Sequence, residues 1–228
     1  AAQAREARYE VFYVPCETMV PVVVRFPEDY DPSAEYRLLI GLHGYGANPE
    51  SFSGLWDKFQ DPDFIYVVPQ APYPRFSGST PGYSWMIWSE DEDLSRSTAS
   101  GSVEYICEAA RTAHDAYNVS ETYLLGFSQG CSFTYAAGLE NPDLFDGLIC
   151  FAGWLDQNET TTDELEDAQN VRVFIAHGIE DQMVEYSAGS DAFEYLSSSG
   201  LDVEFTDFRG GHTVDTETLR AAEEWMKR

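Results

Sequence analysis

Ser128 lies in Gly126-Phe127-Ser128-Gln129-Gly130, directly after a strand-like apolar run at 122–127 and directly before a run of helical period. Glycines two positions to either side let neighbouring backbone approach closely, so the chain can turn sharply and lift the hydroxyl clear of the strand. A serine hydroxyl becomes a nucleophile only when a base takes its proton. The helix that follows would aim its N-terminus and the Gln129 N–H at the point where an attacked carbonyl gathers negative charge. The chemistry this spacing suggests is nucleophilic acyl transfer.

Four histidines are available as the base. His114 sits inside a helical pattern, while His43 and His177 each stand beside a glycine at the end of a strand, where a hydrogen bond that orders the loop is the expected role. His212 follows the last strand in Gly210-Gly211-His212, a loop free enough to reach the elbow, and is the expected base. The carboxylate that would orient it should leave the strand before that loop. His177-Gly178-Ile179-Glu180-Asp181 offers Asp181 and, as a rival by position, Glu180. A second oxyanion donor is expected in Leu42-His43-Gly44-Tyr45-Gly46, at the N–H of Tyr45.

These residues need a scaffold, and the pattern of the chain supplies one. Continuous apolar runs at 37–42, 64–68, 122–127, 148–151 and 171–176, with a last strand at 203–208, read as strands buried on both faces. Helical periods lie between them. Val103, Ile106, Cys107, Ala110, Ala113 and Tyr117 recur at steps of three and four, and similar patterns follow Gln129, cover 188–196 and run from Val214 onwards. The alternation predicts an α/β fold with a mainly parallel central sheet and helices on both faces, forming one domain over 1–228. Two β-rich runs at 9–15 and 20–27 predict an N-terminal hairpin, within 1–30, at the sheet edge. Residues 70–97 form a long aromatic stretch of the kind that carries function, and 152–170 leave no room for a large lid domain.

Composition narrows the partners. The formal charge is −27, from 40 acidic and 13 basic side chains, and the only lysines are Lys58 and Lys227. Nucleic acid and anionic membrane surfaces would be repelled by such a field. The carboxylates are spread along the chain, which favours a hydrated surface suited to high ionic strength over a local face for a cationic partner. Cys16, Cys107, Cys131 and Cys150 have no metal-ligand or CxxC spacing, so reduced thiols are expected, with no metal and no cofactor. There is no run of the length needed to span a bilayer and no signal-peptide core, and a cytoplasmic setting is the expectation.

From about Leu38 onwards the sequence resembles the carboxylesterase/phospholipase family of α/β-hydrolases, which includes the acyl-protein thioesterases. The resemblance is carried by Leu42-His-Gly-Tyr-Gly46, Pro69-Gln-Ala-Pro72, Ser84-Trp85, Gly126-Phe-Ser-Gln-Gly130, His177-Gly-Ile-Glu-Asp181-Gln-Met-Val184 and Gly211-His212. It implies an α/β-hydrolase fold and a catalytic triad of Ser128, Asp181 and His212, with the oxyanion held by the N–H groups of Tyr45 and Gln129. The implied activity is hydrolysis of carboxylic esters of small to medium acyl chains through an acyl-enzyme. Thioester hydrolysis is the alternative, and a non-catalytic binding module is a more distant one. Tyr45, Met86 and Cys131 depart from residues common in the thioesterases, so the substrate does not carry over with the triad. Trp85 and Trp154 are the candidates for a substrate-binding wall.

Overall fold

In the computed structural model, which describes residues 18–77 and 80–228, seven strands form one sheet in the order β1-β3-β2-β6-β7-β8-β9. In chain order the elements are β1 (Val22–Arg25), β2 (Tyr36–Leu42), a short helix α1 (Pro49–Phe52) that runs on as a 3-10 turn, β3 (Phe64–Pro69), β4 (Tyr73–Ser77), β5 (Thr80–Ser84), α2 (Glu92–Ala116), β6 (Val119–Phe127), α3 (Gln129–Glu140), β7 (Gly147–Phe151), α4 (Thr162–Asp167), β8 (Arg172–Gly178), α5 (Tyr186–Ser198), β9 (Val203–Phe208) and α6 (Thr216–Met226). Every ladder of the large sheet is parallel except β1 with β3. This is the architecture of an α/β-hydrolase.

Burial on both faces explains the unbroken apolar runs. Successive residues of a strand point to opposite sides, so Leu38, Ile40 and Leu42 join one core with Val103, Ile106 and Ala110 of α2, while Leu39 joins the other with Leu219 and Trp225 of α6. Each fully buried leucine or isoleucine here contributes on the order of 1.5–3 kcal/mol relative to exposure. Of the expected N-terminal hairpin, β1 runs antiparallel along β3 at the sheet edge, with Val22 opposite Pro69 and Arg25 opposite Tyr66; residues 9–15 lie outside the described residues.

The stretch at 70–97 is more ordered than a loop. β4 and β5 pair antiparallel as a separate two-stranded ribbon, with Tyr73 opposite Ser84. The helix that follows begins well before its apolar face, because the Asp91 side chain accepts the Leu94 N–H and Glu92 and Asp93 sit favourably in the first turn. Between β7 and β8 lie the six-residue α4, opened by a capping box of Thr161 and Glu164, and a 3-10 turn at Ala168–Asn170, with no lid insertion.

Topology locates the site. From β2 the chain moves to β3 on one side, and later to β6 on the other side of β2. In parallel sheets such a reversal opens a crevice outside the carboxyl ends of the two strands. Tyr45 follows β2 and Ser128 follows β6 at that point.

Candidate active site

At the end of β6 the backbone of Ser128 adopts φ 56° and ψ −119°, a left-handed conformation that a non-glycine residue holds only when its surroundings enforce it. They do. The Ser128 N–H donates to the carbonyl of Phe151 at 3.0 Å, and the Cys131 N–H donates to the Ser128 carbonyl at 3.0 Å. The flanking glycines are required by space: a Cβ on Gly130 would stand 2.0 Å from the Leu42 carbonyl oxygen, and one on Gly126 would stand 2.3 Å from the Gly130 carbonyl oxygen. The elbow is therefore pressed against the end of β2.

The three residues of the expected triad meet. His212 Nε2 is 2.9 Å from Ser128 Oγ, and His212 Nδ1 is 2.8 Å from Asp181 Oδ2. The other carboxylate oxygen, Oδ1, accepts the N–H groups of Met183 at 2.8 Å and Val184 at 3.0 Å. Burial raises the Asp181 pKa, but the hydrogen bonds from His212, Val184 and Met183 outweigh it, and the carboxyl lies below its ordinary range. An ionised Asp181 can only accept, so it takes the Nδ1–H of His212 and leaves Nε2 with a lone pair facing the serine hydroxyl. The imidazole packs on the Phe127 ring at 4.7 Å between centroids. Glu180, the positional rival of Asp181, is exposed, and its N–H donates to the Gly210 carbonyl at 2.9 Å.

Among the described residues neither the Tyr45 N–H nor the Gln129 N–H has a protein acceptor. The first is on the turn after β2 and the second opens α3 beside the Ser128 hydroxyl, so both are free to donate to a ligand. His43 begins that turn from a fully buried position, with Nδ1–H donating to the Gly44 carbonyl at 2.9 Å and Nε2 accepting the Ala71 N–H at 3.2 Å. Burial pushes its pKa down to about 4, which keeps the ring neutral and suited to both bonds. His177 is likewise structural, with Nε2 3.1 Å from the Val184 carbonyl oxygen. The bond from His114 Nε2 to Thr122 Oγ1, at 2.6 Å, ties α2 to β6.

Trp85 is a correction. Its side chain is 0 % exposed, between His43 and Phe133, with Nε1–H donating to the His43 carbonyl at 2.8 Å. An indole with no accessible surface is not a wall against which substrate can lie. In the sequence its size suggests a pocket, and no local signal there reveals its hydrogen bond. Trp154 is half-buried on the segment after β7, next to Gly153, whose backbone abuts Ser128 and Cys131. Cys107, Cys131 and Cys150 are free and buried, and burial raises the Cys131 thiol well above its usual range; Cys16 lies outside the described residues. No described helix is long and apolar enough to cross a membrane.

A strained serine at a strand-to-helix turn, bonded through histidine to a buried aspartate, defines the hydrolase branch of α/β proteins. Residues 31–228 match the phospholipase/carboxylesterase family, and the chain belongs to that family. It is a hydrolytic enzyme of the carboxylesterase type. Similar proteins include a probable carboxylesterase SOBER1-like of Arabidopsis thaliana, 28% identical over 83% of this chain and 77% of that protein. Acyl-protein thioesterase 1 of Gibberella zeae is 25% identical over 83% of this chain and 89% of its own. Among solved structures, esterase PE8 superposes with a TM-score of 0.72 at 24% identity, covering 92% of this chain and 99% of that one.

Proposed function

We propose that the protein hydrolyses carboxylic esters with small to medium acyl groups by a serine acyl-enzyme mechanism, in which Ser128 is the nucleophile, His212 the base and Asp181 the orienting acid. The observation that carries this reading is the unbroken line of hydrogen bonds from Asp181 Oδ2 through His212 to Ser128 Oγ. As Ser128 Oγ forms its bond to the ester carbon, its proton passes to His212 Nε2. The carbonyl π electrons move onto oxygen, which takes the N–H groups of Tyr45 and Gln129. Collapse of this adduct breaks the bond to the alcohol oxygen, which leaves with the proton from His212. Water then repeats the sequence on the acyl-serine and releases the acid. Asp181 stays ionised throughout, holding the tautomer and stabilising the imidazolium.

The preference for small to medium esters is supported by the short connection between β7 and β8, which has no lid to open at an oil surface. Exposed apolar side chains on loops at the carboxyl ends of the strands, Tyr45 after β2 and Ile179 and Met183 after β8, are suited to contact an acyl group lying across an open site. A thioester leaving group is the second reading, favoured by the likeness to fungal proteins named acyl-protein thioesterase 1. A panel of p-nitrophenyl esters from acetate to palmitate, run beside the matching acyl-coenzyme A thioesters, tests the proposal. We expect the highest kcat/KM at short or medium chain length. Turnover confined to emulsified long-chain esters, or no turnover of any member, would contradict it.

A further inference from the structure

The two oxyanion donors sit on separate loops, yet one short piece of chain grips both. Resting on the reading of Tyr45 and Gln129 above, we propose that residues 82–85, at the end of the β4–β5 ribbon, are the brace that sets the spacing of these N–H groups, with Trp85 and the Gln129 amide as positioning residues.

The grip on the Tyr45 loop is backbone to backbone. The Gly46 N–H donates to the Tyr83 carbonyl and the Tyr83 N–H to the Ala47 carbonyl, both at 2.8 Å. The approach is so close that a Cβ on Gly82 would stand 2.0 Å from the Gly46 carbonyl oxygen. Upstream on the same loop, the Trp85 Nε1–H holds the His43 carbonyl at 2.8 Å. From the outer side of the ribbon the Arg75 guanidinium lies 5.2 Å from the centre of the Tyr45 ring.

The grip on the elbow is through a side chain. Gln129 Oε1 accepts the Trp85 N–H at 3.2 Å, and Gln129 Nε2 donates to Ser84 Oγ at 3.1 Å, whose own hydroxyl donates to the Met86 carbonyl at 2.6 Å. Ser84, Trp85 and Gln129 are all buried, at 4%, 0% and 2% exposure. Filling a core requires only volume. A buried indole N–H, primary amide and hydroxyl that are all hydrogen-bonded fix direction as well, because any shift of the partners leaves a polar group unpaired. Gln129 thus carries one oxyanion donor on its backbone and uses its side chain to tie that backbone to the segment holding the other. The ribbon does not pair with the main sheet, and these contacts give it a place in the site.

Trp85→Phe keeps an aromatic ring and removes the Nε1–H. Gln129→Met keeps length and removes the bonds to Ser84 and Trp85 while leaving the backbone donor. With p-nitrophenyl butyrate we expect each variant to lose about tenfold or more in kcat with KM within about twofold, since displaced donors weaken the transition state and not substrate binding. Affinity for an aliphatic trifluoromethyl ketone, which forms a charged tetrahedral adduct, should fall in parallel with kcat/KM when measured per folded molecule, whatever the shift in thermal midpoint. A purely structural role would lower the midpoint and leave the ketone affinity per folded molecule unchanged, and that result overturns the proposal. Wild-type kcat and ketone affinity in either folded variant does so too, and Gln129→Met decides alone if Trp85→Phe does not fold. Ser128→Ala, assayed in the same series, separates the two levels: an active Ser128→Ala overturns the underlying reading and the brace with it, whereas with an inactive one the two brace variants decide.

Discussion

In the proposed mechanism, the working atoms on one side of the Ser128 hydroxyl belong to side chains; on the other they belong to the backbone. The proposed proton-transfer side is His212 and Asp181, carried by two loops that are held together by bonds from the Ile179 N–H to the Phe208 carbonyl at 3.0 Å and from the Glu180 N–H to the Gly210 carbonyl at 2.9 Å. His212 retains 19% exposure, on a loop with two consecutive glycines. The proposed oxyanion side is the N–H groups of Tyr45 and Gln129, and the residues that brace them in this reading are buried: His43, Ser84, Trp85 and the Gln129 amide. A side-chain group can be deleted by one substitution. A backbone group can only be displaced. The two halves should therefore fail differently, the first abruptly and the second by degrees.

The largest effects belong to the proton side. His212→Ala should lower kcat by on the order of 10⁴-fold, and Asp181→Asn by a similar factor, because an amide in place of the carboxylate favours the wrong imidazole tautomer. Stopped-flow or steady-state turnover of p-nitrophenyl butyrate measures both. His114→Ala, whose hydrogen bond to Thr122 lies at the opposite end of β6 from the elbow, should remain within about tenfold of wild type. A loss for His212→Ala no greater than the loss for His114→Ala would erase the contrast between the halves.

The oxyanion half has its own pH signature, in stability and not in chemistry. The pKa of His43 is depressed to about 4 by burial. An unfolded chain takes up that proton near pH 6.5, so His43 leaves stability intact above this value and removes it as the pH falls towards 4, by about 2 kcal/mol at pH 5. Asp181, whose pKa is lowered, keeps its contribution above the usual carboxylate range and loses it only at more acid pH. His43→Gln can still place an amide oxygen where Nε2 accepts the Ala71 N–H, and it does not titrate in this window. Urea unfolding at pH 7 and pH 5 should show a smaller acid loss for the variant than for wild type. Equal losses in the two proteins would mean that His43 does not couple the oxyanion loop to folding in the way its burial indicates.

The same division decides what is legible in the sequence. Strand runs such as 37–42 and 122–127 stand out because burial on both faces leaves few polar residues in them. That Ser128, Asp181 and His212 come together is legible because each proposed function requires a particular side chain in a particular chain order, and the three are distinguishable from their neighbours by type. The choice of Asp181 over Glu180 needs the family resemblance; in the structure it rests on the bonds from Met183 and Val184. The oxyanion side is legible only as a turn and a helix start, since a backbone N–H has no residue identity. Its supports are not legible at all. Trp85 resembles a pocket residue because indoles are large, and nothing in the sequence says that its N–H meets the carbonyl of His43, far away along the chain. The β4–β5 ribbon is hidden for a related reason: Pro74, Pro81 and Gly82 break a strand pattern, and the ribbon pairs with itself and not with the sheet.

The smallest and most diffuse effect lies outside both halves. Among the described residues, Arg37, Arg96, Arg111, Lys227 and Arg228 are the Lys and Arg side chains paired with carboxylates, and most of the described acidic groups have no such partner. Salt shortens the screening length from about 10 Å at 0.1 M to about 3 Å at 1 M, and this relieves repulsion that unfolding would otherwise relieve. The thermal midpoint should rise with sodium chloride from millimolar to molar concentration, whereas the ratio of kcat between wild type and the site variants should not change. A level or falling midpoint would count against adaptation to high ionic strength.

If His212 and Asp181 activate Ser128 to take the acyl group, the same serine is the one that an organophosphoryl fluoride labels covalently. Protein treated with an organophosphoryl fluoride and followed by intact-mass and peptide-mapping mass spectrometry should gain one organophosphoryl group per chain, on the peptide that contains Ser128. Loss of esterase activity should follow the label one for one, and Ser128→Ala should neither take up the label nor turn over ester. A stoichiometric label on another residue, or undiminished hydrolysis by Ser128→Ala, would contradict the account.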